Sequence, residues 1–208
     1  MTFAHCFYLL KNSFSKGDLP GYEAHRLFLP NGRNDDLGYV PKTALLSGVI
    51  LLLYPIKGRI HILFIKRTDD NGVHSGQIGF PGGRYSKEDG DDLLLDTAIR
   101  ECKEEIGVEI KKENIIGKLT PLYINPSNYL VYPFVALLSY TPNFNLSSDE
   151  VEYTIEIPLD YLLSADTKYA NFKTKNGSIN ALCFDYENNL IWGASAMILN
   201  ELVLIVNG

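Results

Sequence analysis

The sequence has few of the residues that mark disulfide-bonded or zinc-binding proteins. Its 208 residues include only three cysteines, Cys6, Cys102 and Cys183. They are widely spaced, odd in number and outside any CxxC or histidine pairing, which argues against a disulfide framework and against a zinc site. We therefore expect reduced thiols in a cytoplasmic protein.

Long apolar runs and targeting signals are also missing. The longest apolar run spans residues 44–54, which is too short for a bilayer-spanning helix of about 20 residues. Residues 1–10 have no basic start and no small-residue cleavage site, so we expect no secretion signal. The sequence thus predicts a protein without a membrane partner.

Unbalanced charge is absent outside one short segment. The chain has 25 acidic and 19 basic side chains, a formal net charge of -6. Residues 88–113 alone hold ten carboxylates against four basic side chains, a difference that equals the whole excess. The rest of the chain is balanced and lacks the basic stripe of nucleic-acid-binding proteins, so we expect no nucleic-acid partner.

Hydropathy patterns predict one mixed α/β domain over residues 1–208. With 46% hydrophobic residues, the chain can bury one sizeable core. Residues 1–38 are predicted to form an N-terminal helix (3–14) and an irregular extension (19–38), and residues 45–206 the core. We find no internal repeat and no low-complexity tract.

Apolar runs rich in branched residues predict the strands of that core. Residues 45–54 and 60–66 flank a turn that contains Gly58, which indicates an antiparallel pair. Residues 129–140 are expected to form a central strand, with Pro133 at a bulge or an edge. Further elements are expected at residues 169–173 and 181–186 (strands) and 192–206 (helix).

One helix, predicted over residues 92–106, carries much of the acidic excess. Its apolar positions recur at spacings of three and four, and Gly107 supplies a left-handed stop. Either Asp91 or Asp92 would serve as its N-cap. The apolar stripe consists of Leu95, Ala98, Ile99, Cys102 and Ile106.

Three glutamates, Glu101, Glu104 and Glu105, share the flank beside that stripe. Like charges at i and i+4 destabilise a helix by roughly 0.2 to 0.5 kcal/mol per pair. A Mg²⁺ ion would compensate them, because it prefers carboxylate oxygens and takes further ligands from substrate phosphates. Arg100 could orient one carboxylate. The ordinary alternative is a solvated acidic helix face.

A glycine-rich segment, residues 74–84, precedes the acidic helix. It contains four glycines, including the adjacent pair Gly82 and Gly83. Glycines allow the backbone to come close to a phosphate or to a helix. A glycine pair alone more often marks an ordinary turn, so its value here depends on the acidic helix that follows.

Taken together, the glycine pair and the acidic helix resemble the signature of the Nudix hydrolases. That signature is Gly-Gly, a spacer, and Arg-Glu-apolar-x-Glu-Glu-x-Gly-apolar, and Gly83 with residues 100–108 matches it. The spacer is three residues longer than is usual in the family, and Asp92 stands where the family has a glutamate. The roles of Asp89 and Asp92 in this longer loop therefore stay open.

The resemblance implies an α/β/α sandwich with a mixed β-sheet. It also implies Mg²⁺- or Mn²⁺-dependent hydrolysis of a nucleoside diphosphate linked to another group. By position, Glu101, Glu104 and Glu105 would be the metal ligands, and Arg100 would orient Glu101.

Further stretches are similar to the coenzyme A pyrophosphatase subgroup. They are residues 63–67, 74–83, 129–136, 150–151 with 157–159, and 191–196. This similarity implies cleavage of coenzyme A to 3',5'-ADP and 4'-phosphopantetheine. The alternatives are hydrolysis of ADP-ribose or dinucleoside polyphosphates and, in another class, a non-catalytic module that senses a nucleotide.

The remaining candidate residues belong to the catalytic and substrate-binding roles. Glu150 is our candidate general base, with a helix glutamate as the competing choice and an ordinary loop acid as the alternative. Basic and glycine residues near the site are expected to hold substrate phosphates. These are Lys66, Arg67, His74, Gly82, Gly83 and Arg84.

Lys66 and Arg67 could instead end a surface strand. Trp192 is expected in the core, and His5, His25 and His61 show no ligand spacing. The expected partner is a small nucleoside diphosphate derivative, and a homodimer is possible.

Overall fold

The computed structural model describes residues 1–31, 37–69, 74–87, 93–174 and 177–208. Over these ranges the α-helices are α1 (Phe3–Lys16), α2 (Gly21–Arg26), α3 (Leu93–Ile106), α4 (Leu159–Ser164) and α5 (Gly193–Asn207). The strands are β1 (Leu45–Ile56), β2 (Arg59–Arg67), β3 (Ile78–Gly79), β4 (Gly82–Arg84), β5 (Ile115–Lys118), β6 (Leu122–Ile124), β7 (Tyr129–Leu137), β8 (Val151–Pro158), β9 (Thr167–Thr174), β10 (Gly177–Tyr186) and β11 (Asn189–Trp192). None of the helices in this part of the chain is long and apolar enough to cross a bilayer.

Strand β1 is the centre of the main sheet. It pairs with β2 antiparallel through a turn at Lys57 and Gly58, both of which have positive φ, so the predicted antiparallel pair is confirmed. On its other side β1 pairs with β7 in parallel, from Leu45 opposite Tyr129 onward. Strand β8 extends the sheet beyond β2 and strands β5 and β6 extend it beyond β7, all antiparallel. The sheet is therefore mixed, as predicted.

Helices cover both faces of this sheet. Alternate residues of β1 point to opposite faces: Ile50 and Leu52 lie in one hydrophobic cluster with α3, and Leu51 and Leu53 lie in the other. The second cluster also contains the buried sides of α1 and α5. This period of two is what a strand buried on both faces requires. The arrangement is the predicted α/β/α sandwich, in a single domain.

A second, smaller sheet is formed by β9, β10 and β11. It is antiparallel throughout, and β11 packs beside β3 of the main sheet. Trp192 at the end of β11 stacks on Phe172 of β9, with ring centroids 4.2 Å apart. The prediction that Trp192 lies in the core is wrong, because this side chain is only half-buried and lines a groove between the two sheets.

Pro133 occupies neither a bulge of β7 nor an edge, which corrects the prediction. Its register with Val49 of β1 is continuous, and β7 lies inside the sheet. On the other side of β7, the partner strand changes at this point from β6 to β5. The Pro133 carbonyl accepts the Leu119 N–H at 2.9 Å on that side. The nitrogen of Pro133, which has no hydrogen to donate, therefore lies at the break between β6 and β5, where no hydrogen bond of the sheet is lost.

The N-terminal region is more ordered than the sequence predicts. Residues 3–14 are helical as expected, but the segment expected to be irregular contains α2. Pro20 and Gly21 at its start are typical breakers, so the local pattern hid this helix. It is held by His25, which has no role in the sequence interpretation. The His25 side chain is fully buried, and its Nε2 lies 3.0 Å from Glu201 Oε2 on α5.

Glu201 joins three parts of the fold. Besides His25, its carboxylate accepts hydrogen bonds from the Gly21 N–H at 3.2 Å and from the Thr120 hydroxyl at 2.7 Å. Burial alone would raise the pKa of Glu201, but the hydrogen bonds from His25 and Thr120 hold it below its ordinary value. The negative charge is thus kept inside the protein by the groups that surround it.

Replacing this carboxylate is expected to destabilise the fold. Glu201→Ala should lower the free energy of unfolding by about 3 kcal/mol, because it leaves the fully buried His25 and the half-buried Thr120 without their partner. Denaturant unfolding followed by circular dichroism measures the change. Glu152→Ala on β8 is the matched control, since Glu152 is exposed. Equal unfolding midpoints for the two variants would contradict the role of Glu201.

Candidate active site

Helix α3 presents the predicted acidic residues. It begins at Leu93, and its apolar stripe is buried against the main sheet as predicted. Gly107 ends it with φ 73° and donates its N–H to the Lys103 carbonyl at 2.9 Å, so the predicted left-handed stop is confirmed. The proposed N-cap residues Asp91 and Asp92, and Asp89 in the loop, lie outside the described residues.

Two glycines, Gly48 and Gly83, allow α3 to lie close to the sheet, and a third, Gly82, allows β4 to lie close to β1. A Cβ on Gly48 of β1 would come within 2.3 Å of the Leu94 carbonyl oxygen of α3. One on Gly82 would meet the Gly48 carbonyl at 2.3 Å, and one on Gly83 would meet Glu101 Oε2 at 2.2 Å. The expected close approach to the helix therefore has a geometric basis at Gly83, whereas at Gly82 the close approach is to β1. Gly48 was missed, although a glycine inside an apolar strand is a known sign of close approach.

Glu105 lies on the side of α3 that faces the sheet, next to Gly82. Its side chain is 1% exposed. One carboxylate oxygen accepts the Gly82 N–H at 2.8 Å, and the other lies 2.8 Å from Arg67 Nη1. Burial raises the pKa of Glu105 to about 7, although Arg67 and the Gly82 N–H oppose the rise. Arg67, predicted to hold substrate phosphate, is thus the ionic partner of Glu105 here, and its substrate role stays a prediction.

Arg100 bridges the other two helix glutamates. Its Nη1 lies 2.9 Å from Glu101 Oε1 and 2.8 Å from Glu104 Oε2. Burial is the main cause of a raised pKa at Glu101; Arg100 lowers this pKa, and the charges of Glu104 and Glu150 raise it. The predicted contact of Arg100 with Glu101 is present, and Arg100 also contacts Glu104.

Glu150 is brought to the site by the loop that caps α3. The Ser147 N–H donates to the Glu105 carbonyl at 2.9 Å, and Glu150 follows in the turn before β8. The charge of Glu150 contributes to the raised pKa of both Glu101 and Glu105. The candidate general base therefore shares one electrostatic environment with the helix glutamates.

The helix glutamates do not converge on a single point. Glu105 turns toward Gly82 and Arg67, whereas Glu101 and Glu104 turn toward Arg100. Across the described ranges, no group of three or more His, Cys, Asp or Glu side chains is arranged to hold a metal ion. The two arginines supply the compensating charge in this arrangement. The donor chemistry nevertheless fits a hard divalent cation, because such ions prefer carboxylate oxygens. Three glutamates supply these oxygens on one helix flank, and the side chain of one of them, Glu104, is 55% exposed.

The other predicted substrate-binding residues lie in different places relative to this flank. His74 pairs with the Gln77 side chain at 3.1 Å, and Lys66 donates to the Gly76 carbonyl. Arg84 is exposed at the end of β4, and its carbonyl accepts from Arg100 at 3.4 Å. The structure therefore places Arg84 next to Arg100 of α3 and Lys66 next to Gly76 of the glycine-rich segment.

Known proteins share both the sequence and the fold. Residues 44–175 match the family model described as NUDIX domain. The chain is 35% identical over 143 residues to "Uncharacterized Nudix hydrolase NudL" of Yersinia pestis (strain Pestoides F) and of Yersinia pseudotuberculosis serotype O:1b, covering 68% of this chain and 70% of each relative. The MutT/nudix family protein from Enterococcus faecalis has a TM-score of 0.55 and 16% identity, covering 81% of this chain and 64% of that chain.

The mixed sheet between helices is an α/β/α sandwich, and the family model and relatives indicate a pyrophosphohydrolase. The chain belongs to the Nudix hydrolase family. Members of this family generally use divalent metal ions and bind nucleoside diphosphate derivatives.

Proposed function

We propose that the protein hydrolyses the diphosphate bond of coenzyme A or acyl-coenzyme A. The products are 3',5'-ADP and 4'-phosphopantetheine or its acyl derivative. The observation that carries the hydrolysis of a diphosphate is the close approach of the glycine pair to the helix glutamates, of the Gly82 N–H to Glu105 and of Gly83 to Glu101. The similarity of residues 63–67, 129–136 and 191–196 to coenzyme A pyrophosphatases supports this choice of substrate within the family.

We further propose that Glu101, Glu104 and Glu105 hold Mg²⁺ or Mn²⁺. An anionic diphosphate would be repelled by four glutamates, so the reaction needs a positive charge between them. Burial already raises the pKa values of Glu101 and Glu105, which means that their negative charges are only partly compensated by the arginines. When bound, the ion would polarise phosphoryl oxygens and lower the pKa of a water molecule.

The residues of the chain have distinct tasks in this reaction. Arg100 keeps Glu101 and Glu104 in place, and the Gly82 N–H with Arg67 keeps Glu105 in place. Glu150 is proposed to accept the proton of the attacking water, with a helix glutamate as the competing candidate.

A substrate panel tests the proposal. The protein is incubated with Mg²⁺ or Mn²⁺ and, separately, with coenzyme A, ADP-ribose and a diadenosine polyphosphate, and the products are identified by mass spectrometry. We expect 3',5'-ADP from coenzyme A at the highest kcat/KM. Selective turnover of ADP-ribose or of the dinucleotide would overturn the choice of substrate. Saturable binding with no turnover of any compound would favour a nucleotide sensor.

A further inference from the structure

A polar groove of about 310 Å³ lies between the main sheet and the small sheet. Its main-sheet side includes Lys66 of β2, Gln77 and Tyr153 of β8, and its small-sheet side includes Lys173 of β9 and Trp192. Lys66 directly precedes Arg67, the partner of Glu105. Adjacent residues of β2 therefore contribute to the groove and to the candidate active site, although none of the helix glutamates lines the groove.

The described lining of the groove is positively charged. It contains two lysines, Lys66 and Lys173, and among the described residues neither aspartate nor glutamate lines it, although the Asp69 carboxylate accepts a hydrogen bond from Ser75 at its margin. The Lys66 ammonium donates to the Gly76 carbonyl, which positions it without neutralising it, because a carbonyl carries no net charge. In a chain with a formal net charge of -6, such a concentration of positive charge favours an anionic ligand.

Neutral donors and a flat aromatic side chain complete the groove. Side-chain amides of Gln77, Asn188 and Asn189 line it, and Tyr153 donates a hydrogen bond to Asn189 Oδ1 at 3.2 Å. Trp192 is held against Phe172 by stacking, with ring planes 9° apart. Amide groups suit the edges of a nucleobase, and an indole suits its face.

We propose that this groove binds the phosphorylated nucleoside half of the substrate, with Lys66 and Lys173 pairing with a phosphate monoester on its ribose. The inference rests on the proposed function in so far as the substrate is a nucleoside diphosphate derivative. It goes further by assigning selectivity to the small sheet. Substrates with an additional ribose phosphate are bound by the two lysines, and substrates without it lose this contact.

Equilibrium binding tests the groove independently of turnover. Isothermal titration calorimetry without added divalent ions compares 3',5'-ADP with 5'-AMP, which lacks the second phosphate. We expect the protein to bind 3',5'-ADP at least about tenfold more tightly, as loss of charge-assisted hydrogen bonds predicts. The double variant Lys66→Met with Lys173→Met should bind the two nucleotides equally.

Two further variants keep the test interpretable. Lys173→Met alone changes an exposed residue and should retain the fold while losing part of the preference. Lys168→Met, on the same strand but outside the groove, should retain the full preference. Unchanged preference for 3',5'-ADP in the double variant would overturn the inference, as would equal binding of the two nucleotides by the unmodified protein.

The outcomes also separate this inference from the proposed function. For coenzyme A turnover, the double variant should raise KM at least about tenfold and change kcat little, because the lysines do not contact the reacting phosphates. A lysine-dependent preference for 3',5'-ADP without coenzyme A hydrolysis would contradict the proposed function and support the groove. Hydrolysis of coenzyme A with no effect of either lysine would support the proposed function and contradict the role of the groove.

Discussion

Glu104→Gln is expected to lower kcat by about a thousandfold and to leave the fold intact. The amide removes one negative charge from the proposed metal site, and a thousandfold loss corresponds to about 4 kcal/mol of transition-state stabilisation. Stability should change little, because the Glu104 side chain is 55% exposed and its ion pair with Arg100 is worth at most about 1 kcal/mol. Steady-state kinetics and thermal unfolding measure the two effects.

The control for this variant is Glu113→Gln. Glu113 belongs to the same acidic segment, but its side chain is 75% exposed and its partner is Lys111 at 4.0 Å. We expect unchanged kcat for this variant. Titration with Mn²⁺ should show weaker binding in Glu104→Gln and unaltered binding in Glu113→Gln. Full turnover by Glu104→Gln would refute the metal assignment.

The fold could be predicted where the pattern is local. Apolar periodicity gave the antiparallel pair of β1 and β2, and periodicity with a terminal glycine gave α3. The parallel pairing of β1 with β7 joins distant segments, and no local pattern identifies such a partner. Strands β3 and β4 have two and three residues, too few for any periodicity. Length and contact range therefore separate what was predicted from what was not.

The same distinction applies to the site. The helix glutamates and the glycine pair were found because they form a contiguous motif. The contact of Arg67 with Glu105 was not, because it links residues 38 positions apart. His25 was missed for the same reason, since its partner Glu201 is 176 positions away. A lone charged residue in a sequence gives no sign of whether tertiary packing will bury it beside an opposite charge.

The acidic excess has more than one explanation in the structure. Glu105 pairs with Arg67, and Glu101 and Glu104 share Arg100. Asp96, near the start of the helix, pairs with Lys112 at 2.7 Å. Among these described carboxylates, Glu101 and Glu104 therefore have the least compensation. A divalent ion would act there, where one arginine serves two carboxylates.

The two adjacent glycines should respond differently to the same substitution. At Gly82, φ is 147° and a Cβ would lie 2.3 Å from the Gly48 carbonyl oxygen and 2.6 Å from Val49 Cα, both backbone atoms that cannot yield without distorting β1. Backbone strain and overpacking add to about 4 kcal/mol. Gly82→Ala is therefore expected to lower the free energy of unfolding by about that amount.

Gly83→Ala is expected to leave the protein folded and to lower kcat by about a hundredfold. The three atoms nearest to a Cβ at this position all belong to the Glu101 carboxyl group, with Oε2 at 2.2 Å and Cδ at 2.3 Å, and a glutamate side chain can rotate away. The rotation moves a proposed metal ligand by about 1 Å, a displacement that can cost a hundredfold in rate. Denaturant unfolding and steady-state kinetics on both alanine variants measure the contrast. If Gly83→Ala kept full kcat, Glu101 would not need its observed position for catalysis, and its assignment as a metal ligand would fail.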